Sequence, residues 1–347
     1  MNEKVPNSNY EQQQHFLSES TWNSSELMRE IALSASKSLQ TQGLVSCTVD
    51  EKSHSKKGKS SAGVAPQYSG NKGKVENCQV GVYLSLCAQK YAAVSNKRLF
   101  LPEVWTNDRK RCQKAGILDD VSFKTKPQLA LEMIEEHLQD GVHFDYVNGD
   151  GLYGNSYELS KGFEKRSIPY VLDIHSTHRI FPEKPRISVP EKKPGTKGRR
   201  PTRLKADKEG IKASDYVKGL QSYYFKKVKI HRTTKGWLKA KIHVANVWVW
   251  DEAGGDTEPI QQTLIYRKPI KKGDREKYSL SNIHIDCQSP QLFGFMQAQR
   301  FWIEKVFRDD SHDLGMSDYQ VQMERMAQSH GYDFISYAFC IGTTIEI

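Results

Sequence analysis

Short apolar runs separated by polar stretches fill residues 44–175, and their lengths predict strands alternating with helices. LVSCTV reads as a buried strand that ends in Asp50. CQVGVYLSLCA and YAAVSNKRLFLPE read as two consecutive strands, with the β-branched and aromatic content that suits a pleated surface. The Gly-, Ser- and Lys-rich stretch before them, EKSHSKKGKSSAGVAPQYSGNKGKVEN, reads as a loop or hairpin. KPQLALEMIEEHLQ places Leu129, Met133, Ile134 and Leu138 on one helical face, with Gly141 as the stop. FDYVNGD then predicts a short strand ending in Asp150, NSYELSKGFEKR a helix, and PYVLDI another strand. Upstream, WNSSELMREIALSASKSLQTQG predicts a helix with Ser24 or Ser25 as N-cap and Gly43 as stop.

Three strands, a helix, a strand, a helix and a strand is the order of a ribonuclease H-like core, an α/β mixed sheet with flanking helices. In such a sheet, acids at the ends of neighbouring strands converge at one edge. From about residue 176 the pattern changes. PEKKPGTKGRRPTRLKADKEG is a basic run punctuated by Pro and Gly. YYFKKVKIHRTTKGWLKAKIHVANVWVW and QQTLIYRKPI then alternate in the manner of antiparallel strands. The expected division is an N-terminal helical segment (1–43), a first part of the core (44–175), a mostly β insertion (176–290) and C-terminal helices completing the core (291–347). No internal repeat is evident.

Composition narrows the functional classes. The 347 residues allow one large domain or two, at 37% hydrophobic and 27% charged. No apolar run reaches membrane-span length, and the polar first residues lack a signal peptide's apolar region, so a cytoplasmic, nucleoid-associated protein is expected, with no membrane partner. Cys47, Cys78, Cys87, Cys112, Cys287 and Cys340 are scattered. Their spacing fits neither a zinc finger nor a secreted disulfide framework, and reduced, partly buried thiols are expected. The net charge of +10 makes a polyanion the default partner.

Against that background, two strand-terminal aspartates and the helix-borne Glu304 of QAQRFWIEKVFRD gain meaning. Hard cations such as Mg²⁺ take carboxylate oxygens, and a metal pair can activate an attacking oxygen while stabilising the leaving one. Bland alternatives exist: Asp50 as a turn cap, Glu51 as the ligand instead, Glu304 as an ordinary surface residue, and the glycines of Asp150-GLYG as a tight turn. Two basic clusters suit phosphate neutralisation, or else solvated loops. One comprises Lys192, Lys193, Lys197, Arg199, Arg200, Arg203, Lys205 and Lys208; the other comprises Lys52, Lys56, Lys57, Lys59, Lys72 and Lys74. Trp248 and Trp250 alternate with Val247 and Val249, which favours core packing; Trp237 is the third tryptophan of the insertion. His54, His143, His312 and His330 show no ligand spacing.

Several long motifs, in order, resemble bacterial insertion-sequence transposases of the DDE class. They are NYEQQQHFLSESTW, DEKSHSKKGKSSAGVAPQYSGNKGKVENCQVGVYLSL, LFLPEVWTNDRKRCQKAGI, FKTKPQLALEMI, FDYVNGDGLYGNS and RFWIEKVFRDDSHDLGMSDYQVQ. The nearest group is the one numbered seven hundred and one, itself related to hairpin-forming cut-and-paste transposases with a β insertion. The resemblance implies Asp50, Asp150 and Glu304 as catalytic, metal-binding residues holding two Mg²⁺ (or Mn²⁺) ions. It further implies cutting of double-stranded DNA at terminal inverted repeats, transfer of 3′-hydroxyl ends to target DNA, and a homodimer on DNA. Arg300, Lys56, Lys57, Lys59, Lys197, Arg199, Arg200 and Arg203 are the expected DNA contacts, with His330 a further one by its place in the pattern.

Departures from the pattern keep a second reading in view. Gln297 stands where the larger group has Tyr, Ser311 where it has Lys, and Gln322 where the nearest group has Arg. The chain is also expected to begin later than its relatives. A truncated, catalytically impaired DNA-binding remnant is therefore the alternative, and an unrelated metal-dependent nuclease on the same fold is a third reading.

Overall fold

The computed structural model describes residues 23–70, 72–192, 199–233, 236–270 and 275–313, and the chain divides into two compact units. The first comprises residues 1–145 and 301–347, the second 146–300.

The first unit is built on the antiparallel strands β1 (Ser46–Ser55), β2 (Ala65–Ser69), β3 (Lys74–Ala88) and β4 (Tyr91–Phe100). Strand β3 is central: β1 pairs along one edge, while β4 and β2 share the other. The stretch read as a loop or hairpin holds the second half of β1 and the β2–β3 hairpin, and Asp50 lies in the middle of β1 instead of at its end. The reason is visible in the polar residues that follow. Lys52 and His54 are buried, so a sequence that looks solvent-facing continues the ladder under cover.

Helix α1 (Ser24–Gln40) starts one residue earlier than read, because Asn23 is the N-cap and its side chain accepts from the amides of Ser25 and Glu26. Short helices α2 (Glu103–Thr106) and α3 (Arg109–Lys114), which the pattern did not predict, bury Trp105 and Cys112. Helix α4 (Lys126–Gln139) opens with a full capping box between Thr125 and Gln128. It buries Leu129, Met133 and Ile134 as expected, and Gly141 takes a positive φ just beyond its end. Leu138, however, is exposed, and His137 occupies the buried position.

In the second unit, β5 (Tyr146–Gly149) is followed by the single turn α5 (Gly151–Gly154), by α6 (Tyr157–Lys165) and by β6 (Tyr170–Asp173), which pairs parallel with β5. Two-residue strands β7 (Arg179–Ile180), β8 (Ile187–Ser188), β9 (Lys205–Ala206) and β10 (Ile211–Lys212) precede α7 (Ala213–Lys218). Four antiparallel strands follow: β11 (Lys226–Thr233), β12 (Gly236–Val249), β13 (Ile260–Pro269) and β14 (Lys277–Ser281). They add to β6 through β14, giving one mixed sheet in the order β11-β12-β13-β14-β6-β5. Val247 and Val249 join the apolar core with Leu264 and Leu280. Trp248 and Trp250 face the other way and are half-buried, a correction to their expected core placement that follows from the strand's period of two. Helix α8 (Pro290–Ala298) packs on β11 and β12.

Candidate functional site

Asp50 sits opposite Tyr83 in the β1–β3 ladder, so the two side chains share a face of the first unit's sheet. Helix α9 (Phe301–Asp313), which carries Glu304, packs on that face through Ile303, Val306 and Phe307. The Phe307 ring meets Tyr83 edge-on at 5.3 Å. Lys52, two residues beyond Asp50 and on the same face, donates from Nζ to the Phe307 carbonyl at 2.7 Å. A buried ammonium held by a helix carbonyl thus fastens the glutamate helix to the aspartate strand. Asp50 is half-buried and accepts from the amide of Glu51 at 2.8 Å; Glu304 is exposed.

Glu51, the alternative ligand, points to the opposite side of β1, where it pairs with Lys126 at 3.2 Å. His54 lies on Asp50's face, its Nε2 3.3 Å from the Tyr83 hydroxyl. Burial, reinforced by Lys52 and Lys56, pushes its pKa down to about 3, so it stays neutral at working pH.

Asp150, in the second unit, leaves β5 as the N-cap of α5 and accepts from the amide of Leu152 at 2.8 Å. The glycines after it serve protein packing. A Cβ on Gly154 would run into the carbonyl of Asp173 on β6, with its carbonyl carbon only 2.8 Å away. Close approach here is to the neighbouring strand.

Asp173 itself escaped sequence reading. It is buried at the end of β6, accepts from Ser279 Oγ at 2.6 Å, and has Lys277 Nζ and Arg300 Nε each 3.3 Å away. Gln297 extends the cluster by donating to Ser279 Oγ at 2.7 Å. Arg300 is therefore engaged in an intramolecular ion pair where a DNA contact was expected. The signal for this cluster is scattered over more than 120 positions, and only the β6–β14 register joins it.

Of the other expected DNA contacts, Lys57, Lys59, Arg199, Arg200 and Arg203 are exposed, as are Lys192, Lys205 and Lys208. Lys56 is only 7% exposed, a correction that follows from its place beside β3, where its amide and carbonyl both bond Asn77. Lys193, Lys197, Gln322, His330, Cys340 and the NYEQQQHFL segment lie outside the described residues, as do the side chains of Ser311 and His312. Cys47, Cys78, Cys87 and Cys112 are free, buried thiols, as expected, whereas Cys287 is exposed. A cavity of about 600 Å³ in the second unit, lined by Asn155, His178, Trp250 and Gln262, was not anticipated. Among the described residues no helix is long and apolar enough to cross a membrane.

The first unit thus docks the helix that carries Glu304 onto the sheet face that holds Asp50, and the second presents Asp150 at the end of a strand. Their carboxylate oxygens are the donor type a hard divalent cation takes. Among the described residues, no group of three or more His, Cys, Asp or Glu side chains forms a metal-holding cluster.

Buried His137, 2.9 Å from Ser95 Oγ, leads to a first expected outcome. Burial lowers its pKa from 6.5 to about 4. Below pH 6.5 the unfolded chain therefore takes up a proton that the folded one refuses. Stability falls by up to about 1.4 kcal/mol per pH unit until the folded form also protonates near pH 4. Urea unfolding at pH 7, 6 and 5 checks this, with His137→Gln expected to flatten the acid dependence.

The sequence matches the family model described as DDE superfamily endonuclease over residues 1–237. It is 29% identical over 172 residues to the probable transposase for insertion sequence element IS701 of Microchaete diplosiphon. That match covers 48% of this chain and 41% of the relative, so the chain spans less than half the length of the curated protein it matches. Among solved structures, the NurA nuclease from Sulfolobus solfataricus aligns over 98% of this chain and 99% of its own, at 11% identity and a TM-score of 0.36. A likeness that slight carries no argument about chemistry.

Proposed function

Because the chain belongs to the DDE superfamily endonuclease family, we propose that it is an insertion-sequence transposase that cuts double-stranded DNA at element ends and joins the released 3′-hydroxyls to target DNA. The observation that carries this reading is the docking of the Glu304 helix onto the face of β1 that holds Asp50. With Asp150 at the end of β5, these residues supply the metal-binding carboxylates. Bound divalent ions, Mg²⁺ or Mn²⁺ in a pair, would lower the cost of charge on the attacking and leaving oxygens.

The chain's own residues do the rest. The Lys52 bond to Phe307 fixes the helix, and Tyr83, opposite Asp50 in the ladder, packs its ring against Phe307. The exposed Lys57 and Lys59 offer positive charge to the phosphate backbone. A homodimer holding two element ends follows from the reaction, which must join two ends to one target.

Gln297, engaged in the Asp173 cluster, favours a second reading: a DNA-binding remnant without cleavage. One assay separates the two. A supercoiled plasmid carrying the element's own flanking DNA is incubated with and without Mn²⁺, with Asp150→Ala as control. Metal-dependent cuts at the flanks, lost in Asp150→Ala, are expected; binding without cutting by either protein would establish the remnant. Cutting without joining to a target plasmid would mark a plain nuclease.

A further inference from the structure

The β11–β12 ribbon is the edge of the second unit's sheet, and its register sets like charges against one another. Lys227 stands opposite Lys241, and Lys229 opposite Lys239, all four on one face and all exposed. Lys241 is in turn opposite Lys268 on β13, so three lysines cross three strands in a row. Directly opposed like charges destabilise a sheet. None of these lysines forms an ion pair with a described acid. Further along the ribbon, Arg232 is opposite Trp237 on this same face. The guanidinium of Arg232 and the ammonium of Lys229 lie 5.6 and 5.8 Å from the exposed Trp237 ring.

The opposite face explains why the cations cannot turn inward. Ile230, Ala240 and Ile242 are buried, and the two isoleucines lie against Gly294 of α8, where an added Cβ would stand 3.2 Å from Ile242 Cδ1. The ribbon is thus anchored by its apolar face and presents a grid of charge, with rows about 4.8 Å apart and neighbours along a strand about 6.8 Å apart. A single bound anion cannot satisfy such a grid. A duplex, carrying one phosphate per 3.4 Å of each strand, can.

We propose that this ribbon is a docking surface for the phosphate backbone of duplex DNA, separate from the loops after Asp50 and before β9. The proposal rests on the reading of the protein as a DNA-acting enzyme, and deepens it by naming a surface that grips the duplex away from the carboxylates.

The test is binding in EDTA, where cleavage plays no part, so its outcome is independent of the cleavage assay. A labelled duplex is titrated with the full chain and with a variant carrying Lys227→Gln, Lys229→Gln, Lys239→Gln and Lys241→Gln, from 50 to 300 mM salt. Four lost phosphate contacts are expected to reduce the slope of log affinity against log salt by about 3 to 4, and affinity at low salt by about a hundredfold. Thermal unfolding controls for folding: relief of the opposed charges is expected to leave the variant at least as stable as the parent. Should the variant prove misfolded, Lys239→Gln with Lys241→Gln on β12 is expected to lower the slope by about 2. An unchanged slope in a folded variant overturns the proposal. So does loss of binding to anionic phospholipid vesicles with DNA binding intact.

Discussion

Asp50→Asn is expected to fold like the parent and to lose metal-dependent DNA cleavage by about three orders of magnitude. Asparagine keeps the volume of aspartate and the oxygen that accepts from the Glu51 amide, so the β1–β3 ladder survives. What is removed is one negative charge at the proposed metal-binding position, and on that proposal the loss falls on the transition state. Single-turnover nicking in Mn²⁺ measures the effect, with the thermal midpoint confirming the fold. The neighbouring Glu51→Gln is the informative companion. Its carboxylate is committed to Lys126 on the other side of the strand, so cleavage within about tenfold of the parent is expected. The opposite pattern, with Glu51→Gln inactive and Asp50→Asn active, would move the metal site across the sheet.

The second large effect concerns packing. Gly154→Ala places a methyl group against the backbone of β6 at Asp173, and that backbone has little room to yield. Asp173 is paired to Ser279 in the β14 ladder, and its side chain is held by Ser279, Lys277 and Arg300. The strain must therefore be taken by α5, the single turn that Asp150 caps. A destabilisation of about 3 kcal/mol is expected, read from urea midpoints. Gly58→Ala, with open space around its Cβ position and ordinary φ, should change stability by less than about 0.5 kcal/mol. Equal behaviour of the two variants would show that α5 can move away from β6 at little cost.

Sequence patterning reached the elements whose periodicity is local. Helix α4, strands β3 and β4, and the short strands β5 and β6 stand where the apolar spacing put them. A recurrent cause of misreading is burial of polar side chains satisfied by distant partners. Lys52 and His54 extend β1 under α9 because the Phe307 carbonyl and the Tyr83 hydroxyl meet their polar atoms. His137 displaces Leu138 from the core of α4 because Ser95 offers it a partner. The Asp173, Ser279, Gln297 and Arg300 cluster is of the same kind. Each of these residues looks ordinary alone, and nothing short of the strand register brings them together. For the candidate site, Asp50, Asp150 and Glu304 were legible through ordered motifs, whereas the lysine grid of β11 and β12 required knowing which lysine faces which.

The unbroken run of pairing from β11 to β5 makes the second unit's sheet a measuring device. Five interstrand steps of about 4.8 Å separate β11, the outer strand of the lysine ribbon, from the strand that presents Asp150, roughly 24 Å in all. At 3.4 Å of rise, that length equals about seven base pairs of duplex. A duplex gripped at the ribbon would thus lie at a set offset from the strand that presents Asp150, a distance written in the number of strands between them.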